Sequence, residues 1–138
     1  MLAVSCNIDK EKDELFVDFF SVSGTVLDEA GNQPIQGITV QMDAYYLDDV
    51  NRDSPLLSYK CYTSSEGKYQ FSVRSEENLL DVYFVFNLFD EFTFRDKKYE
   101  SIEERSLFLS TGKGSFFNPV MNSYVVTGND FLLSLSEN

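Results

Sequence analysis

From Phe19 onward, most of the chain alternates between apolar and polar positions. Phe20, Val22, Gly24 and Val26 share one phase, and Ser21, Ser23 and Thr25 share the other. Period two over this length predicts a strand with one buried face. Asp28 to Pro34 is rich in turn formers. Ile38, Val40 and Met42 alternate again, and Tyr45-Tyr46-Leu47 prolongs that run. After a polar loop from Asp48 to Pro55, Leu57, Tyr59 and Cys61 alternate. Ser64-Ser65-Glu66-Gly67 then turns the chain into Tyr69, Phe71 and Val73. Two alternating runs joined by a short Gly-containing link predict a hairpin.

Leu80, Val82, Phe84 and Phe86 face one way, with Tyr83 and Val85 opposite, so this strand is expected to be covered on both sides. Residues 90–105 are charged, with Phe92, Phe94 and Tyr99 interspersed. Ile102 to Arg105 offers the only helical candidate, one turn long. Leu107 and Leu109 predict a short strand, and Thr111 to Ser123 reads as a long loop. Tyr124 and Val126 precede a Gly128-Asn129 turn, and Phe131, Leu133 and Leu135 predict the closing strand. The expectation is an all-β fold, a seven- to eight-stranded antiparallel Greek-key sandwich over residues 19–138.

Residues 1–18 stand apart. Asp9 to Glu14 is an unbroken run of charge with no apolar partner. Such a run cannot bury surface to offset its ordering entropy, so a flexible leader is expected. Fully stretched, residues 7–18 would reach about 40 Å.

Composition narrows the function classes. The 138 residues carry 11 Lys and Arg against 23 Asp and Glu, a net charge of −12. Nucleic-acid affinity comes largely from neutralising phosphates, so no nucleic-acid partner is expected. An anionic membrane surface is equally unsuited. There is no His, which removes the side chain that most often serves as general base or transition-metal ligand near neutrality. Two Cys cannot make a four-thiolate zinc site.

Two segments resemble a known family. In residues 21–42, Gly24, Val26 and Asp28, then Pro34, Ile35, Gly37, Ile38 and Val40, follow the opening pattern of carboxypeptidase regulatory-like domains. In residues 62–73, Thr63, Gly67, Tyr69 and Phe71 follow the same family's second pattern, with Ser64 in place of its usual Asp or Asn. The resemblance implies a transthyretin-like, or prealbumin-like, β-sandwich. Leader, acidic stretch and single domain together are similar to small bacterial lipoproteins built on this domain, some encoded beside radical-SAM enzymes. Two related activities are not expected. Transthyretin-like hydroxyisourate hydrolases depend on histidines, which are lacking here. Pilin-type sandwiches join a first-strand Lys to a last-strand Asn, and residues 19–27 hold no Lys to meet Asn129.

Few residues are candidates for chemistry. Cys6, after Leu2-Ala3-Val4-Ser5, looks like the end of a lipoprotein signal and is the expected lipidation site. A free thiol and a disulfide with Cys61 are the alternatives. Cys61 itself reads as a small buried hydrophobe. Asp49, Asn51 and Asp53 have the spacing of the first ligands of a calcium loop. Ser54 stands where that loop needs Gly and Lys60 where it needs Glu, so a solvated acidic turn is expected, with calcium as the alternative cofactor. Asp90, Glu91, Asp96, Glu100, Glu103 and Glu104 could supply a carboxylate pair for hydrolysis, but a solvated loop face is expected.

The doublets Tyr45-Tyr46 and Phe116-Phe117 could stack on a sugar or anchor a protein partner. Packing against the sandwich is the expected role, with binding as the alternative. Altogether the sequence predicts a non-catalytic, exported module, lipid-anchored at a bacterial outer membrane or cell surface and serving adhesion, assembly or ligand presentation. The alternative is a carbohydrate- or peptide-binding accessory domain that uses loop aromatics.

Overall fold

The computed structural model describes residues 15–49, 54–93, 95–112 and 115–136. Nine strands follow in order: β1 (Phe19–Asp28), β2 (Ile38–Tyr46), β3 (Leu57–Tyr62), β4 (Lys68–Arg74), β5 (Val82–Asp90), β6 (Ile102–Phe108), β7 (Phe117–Asn118), β8 (Ser123–Val126) and β9 (Phe131–Leu133). They form two sheets. One runs β4-β1-β8-β7, with β9 also paired to β1; the other runs β3-β2-β5-β6.

The all-β sandwich expected from the sequence is what the chain forms. Phe20, Val22 and Val26 of β1 and Tyr69, Phe71 and Val73 of β4 face Val40, Met42, Phe84 and Phe86 of the second sheet in one buried cluster. The Phe20 ring meets Phe84 across the sheets at 4.7 Å, and Phe86 meets Phe131 at 5.6 Å. Each fully buried side chain of this size stabilises by about 1.5–3 kcal/mol before chain entropy is set against it.

Several details differ from the sequence reading. The chain already belongs to the sandwich at Leu15, four residues before the expected start of the domain. Val17 is fully buried. Its N–H donates to Asn78 Oδ1 at 2.9 Å, and its carbonyl accepts from Leu79 N–H at 2.7 Å. The rest of the expected leader, residues 1–14, lies outside the described residues.

The first sheet is mixed rather than antiparallel. β8 and β9 both run parallel to β1, from Phe19↔Ser123 to Val22↔Val126 and then from Val26↔Phe131. Between these stretches, residues 127–130 oppose only Ser23, Gly24 and Thr25, so the partner strand bulges over Gly24. Alternation reports which face a residue takes, not the direction of its neighbour, and parallel pairing was therefore invisible in the sequence.

Ile102 to Arg105 is strand, not a helical turn. Its Glu and Arg favour helix, but pairing with β5 overrides that preference. A bulge opposes Phe86 and Leu88, where Glu104 sits at φ 51° and donates its N–H to Asn87 Oδ1 at 2.9 Å. The expected long loop at 111–123 contains β7, which pairs with β8 as a hairpin.

The glycines and prolines of the two motif segments meet in space. Gly67, at φ 74°, gives its carbonyl to Val26 N–H at 2.8 Å. A Cβ there would lie 2.7 Å from Val26 O and 2.9 Å from Pro34. Thr63 joins the same knot: its hydroxyl donates to Ile35 O at 2.7 Å and accepts Ile38 N–H at 2.9 Å.

Candidate functional site

The residues singled out by sequence do not converge on one place. Cys6, Asn51 and Asp53 lie outside the described residues. Asp49, the described member of the calcium triplet, is held through its N–H to Tyr46 O at 3.0 Å. In β2, Tyr45 and Tyr46 point to opposite sides, as strand geometry requires. Tyr45 lies on the outer face, stacked on Tyr83 at 5.9 Å, and Tyr83 stacks on Phe108 at 5.0 Å. Together with Val85, Tyr45 and Tyr83 form the small second cluster that covers β5 from outside. Tyr46 packs half-buried against the main core. Burial raises its pKa first, and the nearby Glu77 and Asp48 carboxylates raise it further. Phe117 packs edge-on to Tyr124 at 5.9 Å, while Phe116 stays exposed. Tyr45 and the Phe doublet thus belong to different sheets. Cys61 is half-buried at the edge of the core, and burial raises its thiol pKa against an opposing hydrogen bond from Gln70 N–H.

Of the acidic cluster, Glu91, Asp96, Glu100, Glu103 and Glu104 are exposed, as a solvated face requires, and Asp90 alone is buried. The Asp90 side chain is only 1% exposed. It accepts Arg95 Nη1 at 2.5 Å, Tyr99 N–H at 2.8 Å and Phe92 N–H at 3.1 Å. Burial alone would raise its pKa, but the Tyr99 N–H, Arg95 and the Phe92 N–H outweigh it and hold the carboxyl below the ordinary value. A general acid needs the opposite shift. Arg95 also donates to Gln36 O, and its guanidinium lies 4.8 Å over the Phe92 ring. Tyr99 donates its hydroxyl to Asp28 at 2.7 Å. Asp90 is therefore the clasp of the loop from β5 to β6, and the Tyr99 hydroxyl ties that loop to β1 of the other sheet. Among the described residues, no group of three or more His, Cys, Asp or Glu is placed to hold a metal ion.

Tyr46 borders an open cleft of about 500 Å³ together with Leu47, Glu77 and Asp81. An exposed aromatic between two further clefts is one the sequence reading did not single out. Tyr62 ends β3 on the edge of the second sheet and is 64% exposed. Its backbone is fixed by the adjoining Thr63 knot. On one side lies an open cleft of about 640 Å³, walled by Ser23, Thr25, Lys68, Gln70 and Asp130. On the other lies a smaller cleft of about 330 Å³, walled by Gln36, Thr39, Glu91 and Phe92. Tyr62 is the wall they share.

Thr39 is the cross-strand partner of Tyr62, and its hydroxyl donates to Glu91 Oε1 at 2.8 Å. Phe92 is pressed onto the backbone at Gly37, where a Cβ would lie 2.6 Å from the ring. The sequence carried one signal for this place. Tyr62 is a large aromatic in the polar phase of the Leu57, Tyr59, Cys61 alternation, directly before a turn.

Comparison with known proteins adds the fold class. No family model and no curated protein matches the chain. Among solved structures, it is similar to 3-chlorocatechol 1,2-dioxygenase from Rhodococcus opacus 1CP, with TM-score 0.54 and 13% identity over 90% of this chain. It is similar to catechol 1,2-dioxygenase from Acinetobacter radioresistens to the same TM-score and identity over 93% of this chain. The match spans only 62% and 55% of those two chains. The plantain pollen allergen Pla l 1 matches with TM-score 0.48 and 15% identity, over 86% of this chain and 94% of its own. At 13% identity the likeness to the two dioxygenases shows the β-sandwich fold alone and carries no activity with it. The carboxypeptidase regulatory-like resemblance rests on the two motif segments alone.

Proposed function

We propose that this chain is a non-catalytic binding or presenting module of the carboxypeptidase regulatory-like kind, exported and held at a bacterial membrane through a lipid on Cys6. The observation that carries the non-catalytic reading is the state of Asp90. The most buried of the candidate carboxylates is committed to three hydrogen bonds and held ionised, with its lone pairs turned to the loop it closes. Glu91 is likewise engaged by the Thr39 hydroxyl. The family reading is supported by the work its motif residues do: Pro34, Thr63 and Gly67 form one knot that joins the two sheets. The tether is supported by Cys6 standing nine residues before Leu15, the first described residue of the sandwich. That length reaches at most about 30 Å and would keep the sandwich close to the bilayer.

The purified protein is expected to leave a panel of aryl glycosides, esters, phosphates and catechol unchanged. Turnover that disappears in Asp90→Asn or Glu104→Gln would overturn the non-catalytic reading.

A further inference from the structure

We propose that the two clefts flanking Tyr62 form one groove for a neutral oligosaccharide, with the Tyr62 ring as its stacking surface. The inference rests on the binding-module reading above and supplies its ligand class. A pyranose presents an apolar C–H face and a rim of hydroxyls, so a protein site for it needs a rigid exposed ring beside paired acceptors and donors. Tyr62 gives the ring, and its cross-strand neighbour Thr39 lies within about 5 Å at Cβ. Thr39 takes one oxygen of Glu91, which leaves the second oxygen to accept a sugar hydroxyl. Gln36 lines the same cleft, and its carboxamide can both donate and accept.

The parts are held in place before any ligand arrives. Thr63 pins the backbone next to Tyr62, Gly37 lets Phe92 close in, and Arg95 stacks over Phe92. Such preorganisation lowers the entropy lost on binding. The larger cleft, lined by Ser23, Thr25 and Gln70, continues the groove past the ring; Gln70 Nε2 donates to Ser72 Oγ at 3.1 Å, and its amide oxygen can accept. A ligand of several sugar units is therefore expected rather than a single one.

Charge selects against acidic glycans. No Lys or Arg is among the described residues that line the smaller cleft, Lys68 in the larger one is matched by Asp130, and the whole chain carries −12. A peptide laid along a sheet edge needs pockets for alternate side chains, which these polar walls do not offer.

The test is titration of the isotope-labelled protein with cello-, xylo-, manno-, laminari- and maltohexaose, read by amide chemical shifts and by the length of the recovered sugar. At least one is expected to shift the amides of Gly37, Tyr62 and Thr63. Tyr62→Ala, and independently Glu91→Gln, is expected to weaken that binding roughly tenfold, with the dispersed amide spectrum retained. Phe116→Ala is expected to leave it unchanged. A silent panel, binding indifferent to Tyr62→Ala, or a response confined to acidic glycans or peptides would overturn the groove while leaving the non-catalytic, tethered reading intact. Shortening of the bound oligosaccharide would overturn that reading instead.

Discussion

Replacing Gly24 with Ala is expected to destabilise the sandwich by about 3 kcal/mol, the upper end of what overpacking costs. Gly24 occupies the core phase of β1 between Val22 and Val26, where a side chain would ordinarily point inward. The bulging segment of the last strands fills that place instead. A Cβ on residue 24 would lie 2.0 Å from Asn129 O, 2.5 Å from its carbonyl carbon and 2.9 Å from Tyr69 Oη. None of these atoms can move alone. The Asn129 carbonyl accepts the Tyr69 hydroxyl, Asn129 N–H donates to Ser23 O at 3.0 Å, and Thr25 N–H donates to Asp130 at 2.8 Å. Relief must shift backbone and break this set. Urea unfolding measures the loss. Gly112→Ala, where a Cβ meets nothing within 4 Å, is the control and is expected to stay within about 0.5 kcal/mol of the parent.

Removing the Asp90 carboxylate is expected to cost a similar amount. Asp90→Ala leaves Arg95, which is 20% exposed at its side chain, without its closest anion, and strips the Tyr99 and Phe92 N–H groups of their acceptor. Breaking a buried pair by deleting one partner costs about 3–5 kcal/mol, and the partial exposure of Arg95 puts this case near the lower bound. The pH dependence follows from the direction of the shift. A carboxyl whose pKa is lower in the folded than in the unfolded chain contributes fully above the unfolded value, near 3.9. That contribution is lost as pH falls through the folded value. Asp28 adds to the same acid limb. The Tyr99 hydroxyl first, and the Ala30 N–H next, hold its pKa down. Stability should therefore drop below about pH 4, with a shallower acid limb in Asp90→Asn than in the parent. Chemical denaturation across acidic pH distinguishes the two. An unchanged limb in Asp90→Asn would show that Asp90 does not clasp this loop.

Much of the architecture was readable because burial imposes a period on the sequence. Phe20, Val22 and Val26, or Tyr69, Phe71 and Val73, can only be explained by extended chain with one dry face. The same logic required Tyr45 and Tyr46 to part company, and they do. Other features have no periodic signature. β8 and β9 lie parallel to β1 because of where distant segments dock. The Glu103-Glu104-Arg105 strand was masked by helix-favouring residues on a sheet edge. The Asp90 clasp arises from a loop folding back over nine residues, and nothing in its spacing announces which carboxylate will be enclosed. The Tyr62 site was half legible. An aromatic in the polar phase marks an exposed ring, but the walls around it come from β1, β2, β4 and the loop after β5.

The tether is tested most directly by the intact mass of the native protein recovered from cells after detergent phase separation. Protein in the detergent phase, beginning at Cys6 and carrying diacylglycerol there, is the predicted result, with Cys6→Ser moving to the aqueous phase. Native protein in the aqueous phase with an unmodified Cys6 thiol would contradict it.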